Sequence, residues 1–380
     1  MFVSDQRSGD TKPGDNQPMV FEHVTAAQRV VFGSDKAGEF LAAELERLGS
    51  TRPMVITGGS AEQAARDITS RLKPGLWWDQ VVQHVPVELA EKARAAASDA
   101  AVDALVTVGG GSTIGLGKAI ALTSGLPLIA VPTTYAGSEA TDTWGLTENR
   151  TKTTGLDPKV LPVTVIYDAA LSRSLPVALS VASGLNGMAH CVDSLWAPRA
   201  DPINRTFALE GARALAVALR GITADPDDLR AREMALYGCY LAALSFASAG
   251  SGMHHKIAHV LGGTFNLPHA QVHATVLPYV LAFNAPAVPE VSARLADALG
   301  SDSRDATEAL NALYREIDAP RALADIGFTE DGIPEAVERS LKAIPDSTPT
   351  APTEENLTLL LRAALTEQDP ALVSAATGQA

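Results

Sequence analysis

From Asp103 to Gly125 the chain reads DALVTVGGGSTIGLGKAIALTSG: a strand, a glycine turn and a helix in immediate succession. Ala104 to Val108 are largely apolar, with β-branched Val106, Thr107 and Val108, as a strand buried on both faces requires. Three glycines follow, and Ile114, Leu116, Ala119 and Ile120 then repeat at helical spacing. The same rhythm surrounds this unit. Val20 to Phe32 suggests a short pair of strands, and Asp35 to Leu48 an amphipathic helix with Leu41, Leu45 and Leu48 on one side. PMVITGGS (Pro53 to Ser60) reads as a buried strand with a glycine turn, and AEQAARDITSRL as the helix after it. WWDQVVQH (Trp77 to His84) is a further strand candidate, Glu88 to Ala97 a helix, and PLIAVPTT one more strand. Strands that alternate with helices predict a parallel sheet covered on both faces, a Rossmann-like α/β domain.

After about Tyr167 the pattern changes. Phe207 to Leu219, Leu229 to Ala247, Val291 to Leu299 and the stretch opening at Thr353 with Glu354 and Glu355 all show helical periodicity. The expected organisation is a disordered leader over 1–19, an α/β domain over 20–167 and an all-helical domain over 168–380. A chain of 380 residues is long enough for two cores.

The glycine turn Gly109-Gly110-Gly111-Ser112-Thr113 sits where a parallel strand hands over to a helix. Glycines let a ligand approach the backbone, and a helix N-terminus offers amides to a phosphate. The spacing matches neither the Gly-x-Gly-x-x-Gly fingerprint nor a P-loop, and a turn of this kind also serves simple tight packing. Pro132 to Glu139, PTTYAGSE, follows the next strand and adds hydroxyls suited to a ribose or nicotinamide; turn chemistry alone also explains them. The strand MVIT ends in Gly58-Gly59-Ser60, with no carboxylate to repel a 2′-phosphate, so NADH and NADPH are both expected to be accepted.

Five of the eight histidines lie between Gly250 and Pro278: His254, His255, His259, His269 and His273. His255 and His259 are one helical turn apart; Gly262 and Gly263 are expected to break that helix, and Pro268 to bring His269 back from a loop. Asn186 and His190 are four apart on another helical stretch, with Asp193 close by. Imidazole suits metal binding or proton transfer near neutral pH. A lone histidine is more often a satisfied core residue, but five among apolar neighbours argue for a site.

Net charge is −14 and no basic run occurs, which excludes a nucleic-acid partner as the expectation. Two cysteines in apolar contexts, Cys191 and Cys239, support no disulfide framework. The N-terminus lacks the apolar core of a secretory signal, and no apolar run approaches the ~20 residues of a membrane span, so the cytoplasm is the expected compartment.

With these residues in view, GGGST with GLGKA, PTTYAGSE, the Asn/His helix and the block GMHHKIAHVLGGTFNLPHAQVHATVLPY (Gly252 to Tyr279) resemble the iron-containing, or group III, alcohol dehydrogenases. The segments WGLTE, KTTGLDPKVLP and VIYD are similar to that family's maleylacetate-reducing branch. The resemblance covers about Phe21 to Ala285. It implies the dehydroquinate synthase-like fold, a site between the two domains and a homodimer. It further implies NADH or NADPH as cofactor, held by Gly58, Gly109, Gly110, Gly111, Ser112, Thr113, Lys118, Thr133, Thr134 and Ser138. The family's metal-dependent members use an aspartate and three histidines, positions that fall here on Asn186, His190, His255 and His269. An amide for the one carboxylate, with Ala270 in place of the usual glycine, implies that no metal is held. His255, His259, His190 and His269 are then the implied catalytic cluster. Lys256 is a candidate for binding a substrate carboxylate, although a solvated lysine is as common. Arg150 and Lys152 are weaker candidates. The implied reaction is reduction of an enone dicarboxylate; the other readings are a metal-dependent alcohol dehydrogenase of the same fold and a catalytically silent dinucleotide-binding protein.

Overall fold

The computed structural model describes residues 19–148 and 151–378, without the side chains of residues 151 and 152. The expected leader up to residue 18, and the candidates Arg150 and Lys152, lie outside what is described.

The first half is built on six parallel strands: β1 (Arg29–Phe32), β2 (Pro53–Ile56), β3 (Leu76–Trp78), β4 (Ala104–Gly109), β5 (Leu128–Pro132) and, after a hairpin of β6 (Thr143–Glu148) and β7 (Thr151–Leu156), β8 (Thr164–Tyr167). Their order across the sheet is β1-β8-β5-β4-β2-β3. Between them lie α1 (Ala37–Leu48), α2 (Glu62–Ile68), α3 (Val87–Asp99) and α4 (Gly111–Ser124). Strand alternation assigns the faces. Ala104, Val106 and Val108 of β4 pack with Leu41 and Leu45 of α1 and Ala65 of α2, whereas Leu105 packs with Ala90 and Ala93 of α3 and Leu116 and Ile120 of α4.

Two expectations for this half are corrected. Val20 to Phe32 forms one strand and not two: residues 19–28 have no regular structure, and Met19, Val20 and Val24 stay exposed. WWDQVVQH contributes only Trp77 and Trp78 to a three-residue edge strand, because beyond it the chain turns through His84 and Val85 at positive φ.

The sheet's last strand ends at Tyr167, and the remainder is helical: α5 (Val177–Ser194), α6 (Pro202–Ala224), α7 (Leu229–Ala249), α8 (Met253–Phe265), α9 (His269–Asn284), α10 (Pro289–Ala298), α11 (Ala306–Glu316), α12 (Ile333–Ala343), α13 (Glu354–Leu365) and α14 (Ala371–Thr377). α13 opens with a capping box: Thr353 accepts from the Asn356 amide and the Asn356 side chain accepts from the Thr353 amide. Gly262 and Gly263 do not break α8, which continues to Phe265 and ends on Asn266 in the left-handed conformation. Burial of Ile257, Ala258 and Leu261 against α9, α12 and α13 outweighs the ~1 kcal/mol that each glycine costs. His269 is accordingly the first residue of α9, one after its Pro268 cap, and not a loop residue.

The halves meet at the PTTYAGSE loop. The Tyr135 amide donates to Ser183 Oγ of α5 at 3.0 Å, and Cys239 Sγ of α7 donates to the Tyr135 carbonyl at 2.8 Å. Gly137, at φ 77°, allows the approach: a Cβ there would stand 2.8 Å from Ala243 Cβ, and His190 Cε1 would be 3.6 Å away. No single helix among the described residues is long and apolar enough to cross a membrane; α7 and α8 together reach that length but meet at 99°.

Candidate active site

At the carboxyl end of β4, Gly110 caps α4 and opens the first amides of that helix at the surface of the sheet, where half-buried Gly110, Gly111 and Ser112 line the turn. Gly109 adopts φ 153°, and a Cβ there would meet Thr113 Oγ1 at 2.5 Å, so the turn admits only glycine. The next strand's loop closes the other side. The Thr133 amide donates to the Gly109 carbonyl at 3.1 Å, and the Thr134 methyl lies 3.0 Å from where a Gly110 Cβ would stand. Thr133, Thr134 and Ser138 are half-buried beside this concavity. Helix N-terminus, bare glycine backbone and adjacent hydroxyls fit the pyrophosphate and ribose of a dinucleotide. Gly58 follows β2 at the same edge, half-buried, with Val81 Cβ 3.1 Å from where its own Cβ would stand.

Lys118 does not belong to that turn, which corrects the expectation for it. Its side chain is buried, and Nζ donates to the Thr141 carbonyl at 2.7 Å, Thr141 Oγ1 at 3.1 Å and the Thr143 carbonyl at 2.8 Å. All three ammonium protons are committed to the root of the β6–β7 hairpin, leaving none for a phosphate. Burial lowers its pKa to about 7, against the pull of Glu139 and Asp142.

On the far side of the PTTYAGSE loop the histidines gather. His190 on α5 stacks on His255 of α8 with ring centroids 4.9 Å apart, and Phe246 of α7 packs on both rings, at 4.7 and 4.3 Å. His255 is 6.1 Å from His259, and His259 is 6.2 Å from His269. His190 and His255 are buried, His269 is half-buried and His259 is exposed, so the cluster grades from the interior to the surface. Lys256 is half-buried beside it, and its ammonium makes no ion pair among the described residues.

Sequence reasoning had noticed Asp193, His254 and His273 without giving them a role. Asp193 accepts from His255 Nδ1 at 2.8 Å and from the amides of Gly252 and His254 at 2.8 and 3.2 Å. His254 Nε2 and His273 Nδ1 are 3.0 Å apart in the interior, and His273 packs on His269 and His255, at 4.4 and 4.8 Å between centroids. The only signal for these three was spacing. Asp193 lies three residues after His190, and His273 four after His269, each within one helical turn.

Burial keeps these imidazoles neutral. It pushes His190 down to about 4 and His254 to about 3, and sets His255 and His273 well below the usual range, helped by the neighbouring histidines. Burial pushes the Asp193 carboxyl up, opposed by His254 and the loop amides.

At the position where the family resemblance would place the carboxylate of an iron centre stands the amide Asn186. Asn186 is buried, and its Oδ1 has no hydrogen-bond partner among the described residues, nor do His190 Nδ1 and His255 Nε2. Asp193, a carboxylate beside the cluster, is turned to His255 and the loop amides. Without a carboxylate at position 186, the three imidazoles and one amide bring no negative charge to a divalent ion, which lowers their affinity for it. Among the described residues no three His, Cys, Asp or Glu side chains are disposed to hold a metal.

Comparison with known proteins agrees with this architecture. The family description "Iron-containing alcohol dehydrogenase" matches residues 27–169, and "Fe-containing alcohol dehydrogenase family, C-terminal" matches residues 180–365. The chain is 44% identical over 350 residues to a maleylacetate reductase of Sphingobium indicum, covering 91% of this chain and 98% of that one. Among solved structures it resembles an iron-containing alcohol dehydrogenase from Corynebacterium glutamicum, with a TM-score of 0.92 and 57% identity, covering 94% of this chain and 100% of that one. It also resembles a maleylacetate reductase from a Rhizobium strain, with a TM-score of 0.87 and 39% identity, covering 93% of this chain and 100% of that one.

Proposed function

The chain belongs to the iron-containing alcohol dehydrogenase family, and within it we propose that it reduces the C=C bond of maleylacetate to give 3-oxoadipate with NADH or NADPH. The observation that carries this reading is the buried histidine cluster, with the amide Asn186 one helical turn from His190, beside a dinucleotide-type glycine turn. Curated maleylacetate reductases at 41–45% identity support it.

A bound nicotinamide would supply a hydride. Gly109 to Thr113 hold the pyrophosphate, and Thr133, Thr134 and Ser138 line the path toward the histidines. Lys256, with His269 at the N-terminus of α9, faces the substrate's carboxylates. Hydride addition to the carbon β to the ketone moves the double-bond electrons onto the ketone oxygen. Hydrogen-bond donors stabilise that enolate as a metal would. His259, exposed at the surface, then gives a proton to the α carbon, so one hydride and one proton add across the double bond and nothing leaves. No step requires a Lewis acid, because the conjugated substrate is already activated, and metal-independent turnover is part of this proposal.

The Gly58-Gly59-Ser60 turn after β2 supports acceptance of both cofactors. A homodimer is the proposed assembly, supported by the open edge of β1, where Val30 and Phe32 remain exposed.

A second reading, metal-dependent oxidation of a simple alcohol, is favoured by the name of the 57%-identical Corynebacterium glutamicum structure. NAD(P)H consumption with maleylacetate, set beside NAD(P) reduction with 1-alkanols, separates the two. Turnover of alkanols alone sinks the first reading.

A further inference from the structure

We propose that Asp193 is a positioning residue that locks His255 in the Nδ1-protonated tautomer, leaving its Nε2 lone pair inside the histidine cluster, so that His255 accepts a hydrogen bond and does not donate the proton. The inference rests on that cluster being the reaction site, and it adds a residue and a division of labour that the cluster alone does not reveal.

The geometry is over-determined. Asp193 lies on α5, one turn beyond His190, and is fully buried. Its Oδ2 accepts from the Gly252 amide at 2.8 Å, the His255 amide at 3.4 Å and His255 Nδ1 at 2.8 Å; its Oδ1 accepts from the His254 amide at 3.2 Å. A carboxylic proton on either oxygen would point at an N–H, so these contacts select the carboxylate. The carboxylate caps the first turn of α8 from another helix and fixes one ring in the same stroke.

A neutral imidazole carries one N–H. With Nδ1 donating to Asp193, Nε2 is left as a bare acceptor, and it is buried without a partner among the described residues. An acceptor there serves an O–H donor such as an ordered water. It repels an enolate oxygen. Proton donation then falls to His259, the exposed member of the cluster.

Gly252 is the second half of the device. Its backbone is ordinary, with φ −97°, but a Cβ there would stand 2.5 Å from Asp193 Oδ1 and 2.9 Å from Cγ. Only glycine lets the α8 entrance close on the carboxylate.

The test is the 15N spectrum of histidine-labelled protein near pH 7.5, without substrate, with the His255 signals assigned by their loss in His255→Gln. The expected result is a neutral His255 protonated at Nδ1. Asp193→Ala and Gly252→Ala should abolish that preference and lower kcat at least tenfold, with the Kd for NADH within threefold of the parent. Asp193→Asn should keep the tautomer, because its amide oxygen can stay toward His255 while the NH2 faces only the His254 amide, and should retain more kcat than Asp193→Ala. A merely structural role for Asp193 would not set the tautomer.

The proposal is overturned if His255 in the parent is protonated at Nε2 or at both nitrogens, or if Asp193→Ala retains both tautomer and kcat. Should the variants fail to fold, the parent spectrum decides. If the parent shows the tautomer but does not reduce maleylacetate, the substrate reading fails and the lock stands.

Discussion

At the scale of single residues, the site works by dividing one side-chain type into different states. His190 and His255 lie in the interior, where burial and neighbouring imidazoles hold them neutral, whereas His259 meets water. A proton donor must be recharged from solvent, which the buried rings cannot be. Replacing His259 by Ala should therefore lower kcat by about tenfold or more while NADH binding stays nearly intact. Stopped-flow turnover alongside NADH titration checks this, and near-normal kcat removes His259 from the mechanism. Much of this scale was legible in the sequence. His255 and His259 at a spacing of four are a pattern fact, and Asn186 at a metal-ligand aspartate position is what the family resemblance implies. The Asp193–His255 bond was not legible, because a helix-to-helix contact across 62 residues leaves no local periodicity.

At the scale of elements, the glycine turn and the helix after it do two jobs that the sequence runs together. Gly109 to Thr113 follow β4 as the apolar run and glycines predicted. Lys118 sits seven residues into α4, where a motif-minded reading assigns it to phosphate. Only the β6–β7 hairpin, which no alternation of WGLTE and KTTGL announced, reveals the carbonyls of Thr141 and Thr143 as its true partners. Lys118→Met should leave both carbonyls unpaired at about 1–3 kcal/mol each. Calorimetry should show a clearly lower Tm, and NADH affinity should change little; intact Tm with lost affinity would restore Lys118 to the cofactor. The run of α8 through Gly262 and Gly263 was missed for a related reason. Propensity marks glycine as a breaker, and only the packing of Ile257 and Leu261 shows why it does not break here.

At the scale of the whole molecule, the alternation up to Tyr167 and the helical remainder predicted the sheet-plus-helices architecture, and similarity to iron-containing alcohol dehydrogenases confirms it. Burying four neutral histidines, His190, His254, His255 and His273, couples folding to pH. Their folded pKa values lie below the unfolded value of about 6.5. Between the two values the unfolded chain binds more protons, so stability is full above about pH 6.5 and falls as pH drops toward 4. The buried Asp193 and Glu139, whose carboxyls burial pushes up, offset part of the loss. Thermal unfolding at pH 7.5 and pH 5 should show a marked fall in Tm on acidification; a flat profile would contradict the neutral cluster. Light scattering should give a dimer closed over β1, and substituting Val30 and Phe32 with Lys should yield monomer; a monomeric parent would refute that assembly.

The account turns on hydride delivery to a conjugated double bond by a metal-independent histidine cleft. The direct measurement is the absorbance of NADH, and separately of NADPH, during incubation with maleylacetate after exhaustive chelation, with metal content determined on the same sample. The account predicts undiminished oxidation of both cofactors at sub-stoichiometric metal, 3-oxoadipate as product, and kcat/KM values for the two within about a thousandfold. Loss of turnover on chelation, recovered by Fe²⁺ or Zn²⁺, would contradict it.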